Sequence, residues 1–167
     1  MKYSSRYSIQ TKKNSDLTRK FPVQSDRGNN YILLAYHYDA KNIVNILLNN
    51  RTGPCILSGI TKVHDKLRKQ GLTTKLHIMD NEVSDDLKKY FDDSDIQFQL
   101  VPPHMHIRNA AEKALRTFKN HFIDVLCTAN RRFPFYLWDR KMPYLKLIIR
   151  LCMNGTMLCS RQSIRLQ

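Results

Sequence analysis

The sequence lacks the cysteine spacing of a zinc module. Its four cysteines include no C-x-x-C pair, and none is spaced to share a zinc ion with His104 or His106. Cysteines without such partners are expected to be reduced thiols, because disulfides persist mainly in oxidising compartments. We therefore expect an intracellular protein.

Long apolar runs are also missing. The N-terminal segment MKYSSRYSIQTKKNSDL has no apolar core of the kind found in signal peptides. The most apolar stretch, residues 142–159, is interrupted by Lys146, Arg150 and Asn154 and falls short of the ~20 apolar residues of a membrane helix. The sequence therefore predicts no membrane partner.

Acidic residues are half as frequent as basic ones, with 14 Asp and Glu against 28 Lys and Arg and a net charge of +14. The excess lies at the two ends: residues 1–30 contain seven bases and two acids, and residues 101–167 contain twelve and three. Residues 31–100 are balanced, with nine of each. Because binding to phosphates releases counterions, this distribution predicts a DNA or RNA partner. The alternative is a basic surface that binds no nucleic acid or touches an anionic membrane.

The apolar pattern predicts one α/β domain, because 167 residues suffice for a single core. Strands are predicted at 31–38, 42–48, 75–79 and 96–101, with a weaker first strand near 16–23. Helices are predicted at 54–70, over SDDLKKYF after an N-cap at Ser84, and at about 109–126 and 135–152. This order predicts a mixed central sheet of about five strands flanked by helices. Residues 1–14 are expected to form a poorly ordered basic arm.

Two acids stand out against the basic background. Asp80 ends a predicted strand, where α/β folds build their sites, and a helix crossing that edge could bring Glu112 beside it. Carboxylate oxygens bind Mg²⁺, and paired ions can activate a nucleophile at a phosphodiester. There are structural alternatives for both acids. Asp80 could be a plain acid at the end of a strand. Glu112 could form a helix capping box with Asn109 and an ordinary i, i+4 ion pair with Arg116.

The helix predicted at 109–126 has a distinct apolar stripe and a distinct charged flank. On this helix Glu112, Arg116 and Lys119 lie together on the flank, where a metal ligand and two phosphate contacts would be side by side. The core stripe consists of Ala111, Leu115, Phe118 and Phe122. In the loop before it, His104 and His106 could line a substrate channel or be solvated.

Together these segments resemble the integrase catalytic core of copia-type long-terminal-repeat retrotransposon Pol polyproteins. The similarity covers residues 15–140, through SDLTRKFP, LHIMDNE, NAAEKALRTFK and FPFYLWDR. It implies a ribonuclease-H-like fold and a catalytic triad of Asp16, Asp80 and Glu112 that holds two Mg²⁺ or Mn²⁺ ions. The implied reaction is metal-dependent phosphoryl transfer on DNA, comprising 3′-end processing and strand transfer.

The resemblance also implies DNA contacts and assembly. Arg108, Arg116 and Lys119, with His104 and His106, would contact nucleic acid. Family integrases act as multimers, so a homo-oligomer is expected, with no small-molecule substrate. In a eukaryotic host the protein would be nuclear.

The sequence departs from the family pattern at several places, among them Arg19-Lys20, where the family has Gly-Arg, and Ile107, where the family has a basic residue. The polar residues KKNS precede Asp16, where the family has an apolar strand. After Arg140 the similarity ends, and residues 141–167 are expected to form a diverged C-terminal helix and tail. We therefore expect a truncated or decayed copy, with a non-catalytic nucleic-acid-binding remnant as the alternative function.

Overall fold

The computed structural model describes residues 12–79, 83–100, 110–128 and 132–143 of the chain. One sheet contains the strands β1 (Lys12–Leu17), β2 (Tyr31–His37), β3 (Asn42–Leu48), β4 (Leu76–Met79) and β5 (Gln97–Leu100). In these ranges it is accompanied by the α-helices α1 (Gly53–Arg68), α2 (Asp85–Asp93) and α3 (Ala110–Cys127) and by a 3-10 helix (Phe135–Lys141). The expected α/β architecture is confirmed.

The strand order across the sheet is β3-β2-β1-β4-β5. β2 pairs antiparallel with both β1 and β3, and the short turn between β2 and β3 makes the predicted hairpin. β4 pairs parallel with both β1 and β5. Parallel neighbours need crossover connections, and α1 and α2 supply them before and after β4.

The first strand does not lie where the sequence pattern put it. It was predicted near 16–23, but β1 spans Lys12–Leu17 and overlaps the predicted basic arm at residues 12–14; the rest of that arm lies outside the described residues. β1 is hydrogen-bonded to β2 on one side and to β4 on the other. Backbone pairing on both edges and burial outweigh the poor strand preference of its polar side chains.

One face of the sheet, here called the α1 face, is covered by α1 and α2. On α1, Ile60, Val63 and Leu67 follow the predicted helical spacing and are buried, as are Leu87 and Phe91 of α2. They join the inward side chains of β2 and β3 in one apolar cluster.

Gly59 lets α1 approach the sheet closely. A Cβ atom at that position would lie 2.9 Å from Leu48 Cδ2 and 3.1 Å from Leu33 Cδ2, closer than van der Waals contact allows. The predicted N-cap residue of α2, Ser84, does occupy the cap position, although its side chain makes no capping hydrogen bond.

The opposite face, here called the α3 face, is covered by α3 and the 3-10 helix. Trp138 lies at its centre, stacked on Phe21 with ring centroids 4.2 Å apart, and its Nε1 donates to the Val23 carbonyl at 2.9 Å. The buried members of this cluster are Ile32, Leu34, Phe118, Phe122, Trp138 and Met142.

The predicted helix at 135–152 is described only in its first part. Residues Phe135–Lys141 form a 3-10 helix, Met142 and Pro143 after it are α-helical, and residues 144–152 lie outside the described part. In the described ranges, no helix has both the length and the hydropathy of a membrane span. Cys55 and Cys127 are free thiols.

Candidate active site

β1 contains one of the expected site positions, β4 directly precedes another in the sequence, and the two strands are neighbours in the sheet. They run parallel, with Lys12 opposite Leu76 and Asn14 opposite Ile78, so their carboxyl ends meet at one edge of the sheet. Asp16 is in β1, where its backbone is opposite Leu34 of β2; its side chain is outside the described set. Asp80 follows the last residue of β4 and also falls outside it.

The third expected acid, Glu112, is in the first turn of α3, with its side chain outside the described set. Of the expected core stripe, Phe118 and Phe122 are buried in the α3 face as predicted, and the side chains of Ala111 and Leu115 are outside the described set. Arg116 is exposed and Lys119 is half-buried.

The loop residues expected to contact nucleic acid are not described. Arg108, His104 and His106 all lie between residues 101 and 109, outside the described ranges. Among the residues that are described, no three His, Cys, Asp or Glu side chains group as metal ligands. The roles assigned from sequence to these residues therefore stay predictions.

A buried polar cluster that the sequence did not indicate lies beneath this edge, on the α1 face. Lys13 and His77 are each 0% exposed, on the adjacent strands β1 and β4. Ser15 Oγ and His77 Nε2 share a hydrogen bond of 2.9 Å. On the helical side, His64 Nδ1 and the Tyr90 hydroxyl share one of 3.0 Å, and the rings of His64 and His77 are 5.5 Å apart.

Burial disfavours the charged forms of Lys13, His64 and His77. It lowers the pKa of Lys13 well below the usual value for an amine, and that of His77 well below the usual value for an imidazole. Burial, together with the charges of Lys13 and Arg68, lowers the pKa of His64 to about 3. A charge at any of these positions would lack solvent, so protonation here opposes folding.

The polar contacts within this cluster are incomplete. Lys13 Nζ, His64 Nε2 and His77 Nδ1 have no hydrogen-bond partner among the described residues. Strand alternation could have identified Lys13 and Ser15 as sharing one face, had the start of β1 been predicted four residues earlier, at Lys12. The cluster is enclosed, so we interpret its role as structural.

Comparison with known proteins finds similar folds among solved structures but no similar sequence. No protein-family model and no curated protein matches the sequence. The HTLV-2 integrase catalytic core domain, solved in complex with magnesium in a dimeric form, superposes with a TM-score of 0.58 at 11% identity, over 90% of each chain. The chain shares the fold of a retroviral integrase catalytic core.

A second solved structure also matches the fold of this chain. A chain of the simian T-cell lymphotropic virus intasome in complex with the PP2A regulatory subunit B56 gamma matches with a TM-score of 0.63 at 10% identity. The match covers 95% of this chain and 56% of that one, so this chain spans little more than half of its length. At such identities the integrase-like fold is established, and residue roles are not transferred.

Proposed function

We propose that this chain is a DNA integrase-like core, of the copia-type retrotransposon kind and with a ribonuclease-H-like fold, which carries out metal-dependent phosphoryl transfer on DNA. The observation that carries the proposal is the likeness of the fold to integrase cores. The charge of +14 suits a polyanionic substrate.

The register of β1 and β4 supports Asp16 and Asp80 as a pair. Lys12 and Leu76 are paired, as are Asn14 and Ile78, and each pair differs by 64 in residue number. Asp16 and Asp80 differ by the same 64. Adjacent strands are about 4.8 Å apart, a separation at which two carboxylates can share metal ions.

Glu112 would complete the site from α3. The α3 helix packs on the sheet through Phe118 and Phe122, against Leu34, the residue opposite Asp16 in the β1–β2 register. Glu112 precedes these aromatic side chains in the same helix. This packing supports a Glu112 position near the layer that contains β1.

The donor set suits Mg²⁺ or Mn²⁺, because three carboxylates offer the hard oxygen ligands that these ions prefer. When bound, two such ions would supply charge stabilisation and activation of the attacking oxygen. Arg116 and Lys119 follow Glu112 by four and seven residues on α3, and they would hold the DNA backbone through its phosphates.

Further assignments follow the same proposal. Residues 15–140 would form the integrase core-like domain, preceded by the basic arm and followed by the diverged tail. The protein would act on DNA inside the cell, in the nucleus of a eukaryotic host, and as a homo-oligomer.

The test measures Mn²⁺-dependent disintegration and strand transfer on a branched oligonucleotide. Asp80→Asn and Glu112→Gln should each lower the rate by about 100-fold or more, because each removes charge that holds the metal ions. The matched control is Asp124→Asn, at an exposed acid of α3, which should keep the wild-type rate. Millimolar Mn²⁺ should raise the melting temperature of the wild type and not that of Asp80→Asn.

Other outcomes would assign a different function. Equal rates for wild type and both variants, with DNA binding that weakens steeply with salt, would indicate a non-catalytic nucleic-acid-binding remnant. Cleavage of RNA–DNA hybrids without strand transfer would indicate a ribonuclease-H-type nuclease.

A further inference from the structure

The β1–β2 connection (residues 18–30) and the 3-10 helix form one surface, here called the connection surface. The Asp26 amide donates to the Tyr136 carbonyl at 2.8 Å. Trp138 Nε1 donates to the Val23 carbonyl at 2.9 Å. The connection leaves the carboxyl end of β1, which is also the end at which the parallel strand β4 finishes. The connection surface therefore lies at the same end of the sheet as the proposed catalytic edge.

Two aromatic rings of the connection surface are open to solvent. Phe135 and Tyr136, at the start of the 3-10 helix, are 64% and 50% exposed, and Val23 of the connection is 41% exposed. In the same helix the ring of Trp138 is only 2% exposed, so the core has taken one aromatic side chain from this segment and left two outside. Exposed apolar side chains grouped on one surface indicate a binding role.

The charges of the connection surface are mainly basic. Residues 18–30 and 132–141 contain six bases and two acids. Of the two acids, Asp139 is 2% exposed, and Asp26 forms an ion pair with Arg140 at 2.6 Å. The other exposed bases of these two segments are Arg19, Lys20, Arg27 and Arg132. The charge presented to solvent is therefore positive, which favours an anionic partner.

Two of these bases are next in sequence to residues that contact the 3-10 helix. Arg27 follows Asp26, whose amide is bonded to the Tyr136 carbonyl. Lys20 precedes Phe21, whose ring is stacked on Trp138 with centroids 4.2 Å apart. Positive charge is therefore placed beside the helix that carries the two exposed rings.

Exposed rings beside basic side chains suit a partner that has both flat apolar faces and negative charge. Single-stranded nucleic acid has both, because its unpaired bases stack on aromatic side chains while its phosphates contact Lys and Arg. In a duplex the bases are already stacked on one another and their faces are not accessible. An acidic peptide would supply the charge without the ring faces.

We propose that the connection surface binds single-stranded nucleic acid, with bases stacked on Phe135 and Tyr136 and phosphates held by Lys20 and Arg27. Stacking of this kind tolerates any base sequence, because every base has a flat face. The binding needs no metal ion and breaks no bond. It therefore goes beyond the proposed phosphoryl transfer and does not depend on it.

The test is fluorescence anisotropy of a labelled oligothymidine of about 15 nucleotides, titrated with the full chain at low salt in EDTA. EDTA prevents metal-dependent binding or cleavage at the proposed catalytic edge. Phe135→Leu combined with Tyr136→Leu should weaken binding about tenfold or more, because leucine keeps an apolar side chain but has no ring face. Since both positions are exposed, the melting temperature should stay at the wild-type value.

The matched control exchanges the two aromatic residues, combining Phe135→Tyr with Tyr136→Phe. It preserves both ring faces and the composition of the chain, so it should bind the oligothymidine within about twofold of the wild type. The wild type should also bind the oligothymidine more tightly than a duplex of the same length.

The phosphate contacts are tested by the salt dependence of the same binding. Arg27→Gln should weaken binding and make the slope of log affinity against log salt shallower by about 0.7, as expected for the loss of one single-strand phosphate contact. Lys89→Gln is the control at an exposed position of α2, which covers the other face of the sheet, and it should leave this slope unchanged.

Two results would overturn the proposal. One is equal affinity of the wild type and the leucine double variant for the oligothymidine; if that variant had also lost self-association in sedimentation, the rings would be a contact between copies of the chain. The other is binding of the duplex as tight as that of the single strand. Failure of the catalytic proposal is seen separately, because Asp80→Asn and Glu112→Gln should leave binding in EDTA unchanged.

Discussion

The two faces of the sheet have different interiors. At the centre of the α3 face, aromatic rings pack on aliphatic strand residues, with Trp138 between Phe21 and Phe122. At the α1 face a cluster of buried apolar side chains lies next to the buried polar residues Lys13 and His77. Apolar burial stabilises both faces, but among the described residues the buried amine and imidazole groups lie on the α1 face, where burial disfavours their charged forms. The difference predicts that stability depends on pH through the α1 face.

The largest expected effect is on the α3 face. Trp138→Ala should lower the free energy of unfolding by about 3–5 kcal/mol, because it removes a buried ring and leaves a cavity. Urea denaturation followed by circular dichroism measures this. Tyr136→Ala is the matched control on the same 3-10 helix, where the ring is 50% exposed, and it should change stability by less than about 0.5 kcal/mol. A loss for Trp138→Ala as small as that of the control would contradict the central role of this face.

On the α1 face, Lys13→Met should raise the free energy of unfolding at pH 7 by on the order of 1–3 kcal/mol, because an apolar side chain replaces a buried amine that has no hydrogen-bond partner among the described residues. Burial lowers the pKa of Lys13, so the unfolded chain binds the proton more tightly and wild-type stability should rise as pH increases toward 10. The variant should lack that rise.

Urea denaturation at pH 7 and pH 9.5 tests the effect of Lys13→Met. Lys89→Met, at an exposed position of α2, is the control and should preserve the wild-type difference between the two pH values. Destabilisation by Lys13→Met at both pH values would mean that the amine stabilises the fold, and the contrast between the faces would fail.

A smaller effect is expected from His64 in mild acid. Its pKa in the folded protein is about 3, against 6.5 for the free imidazole, so the unfolded state binds the proton first as pH falls. The contribution of His64 to the free energy of unfolding is therefore fully present above pH 6.5 and decreases on acidification. At pH 5 the decrease from this group is about 2 kcal/mol. His77 acts in the same direction, because burial also lowers its pKa.

Denaturation of His64→Gln between pH 7 and pH 5 measures that contribution and should give a shallower loss than the wild type. Phe122→Leu, on the α3 face, should lower stability at every pH and leave the slope unchanged. If His64→Gln keeps the full wild-type slope, the acid sensitivity arises elsewhere.

Much of the fold was predictable because local patterns agree with it. The hairpin of β2 and β3, the α1 spacing of Ile60, Val63 and Leu67, and the buried stripe of Phe118 and Phe122 follow from apolar periodicity. β1 was misplaced because Lys12–Leu17 is polar, and its strand conformation depends on two neighbours that are distant in sequence. The expected site residues Asp16, Asp80 and Glu112 stay predictions.

The sequence by itself determined the basic charge, the α/β order of elements and the candidate acids, because these depend on composition and local periodicity. Only the tertiary structure decided that Lys13 and His77 would be buried side by side, as paired residues of β1 and β4. Which side of a polar strand is buried depends on where helices pack, and no local pattern carries that information.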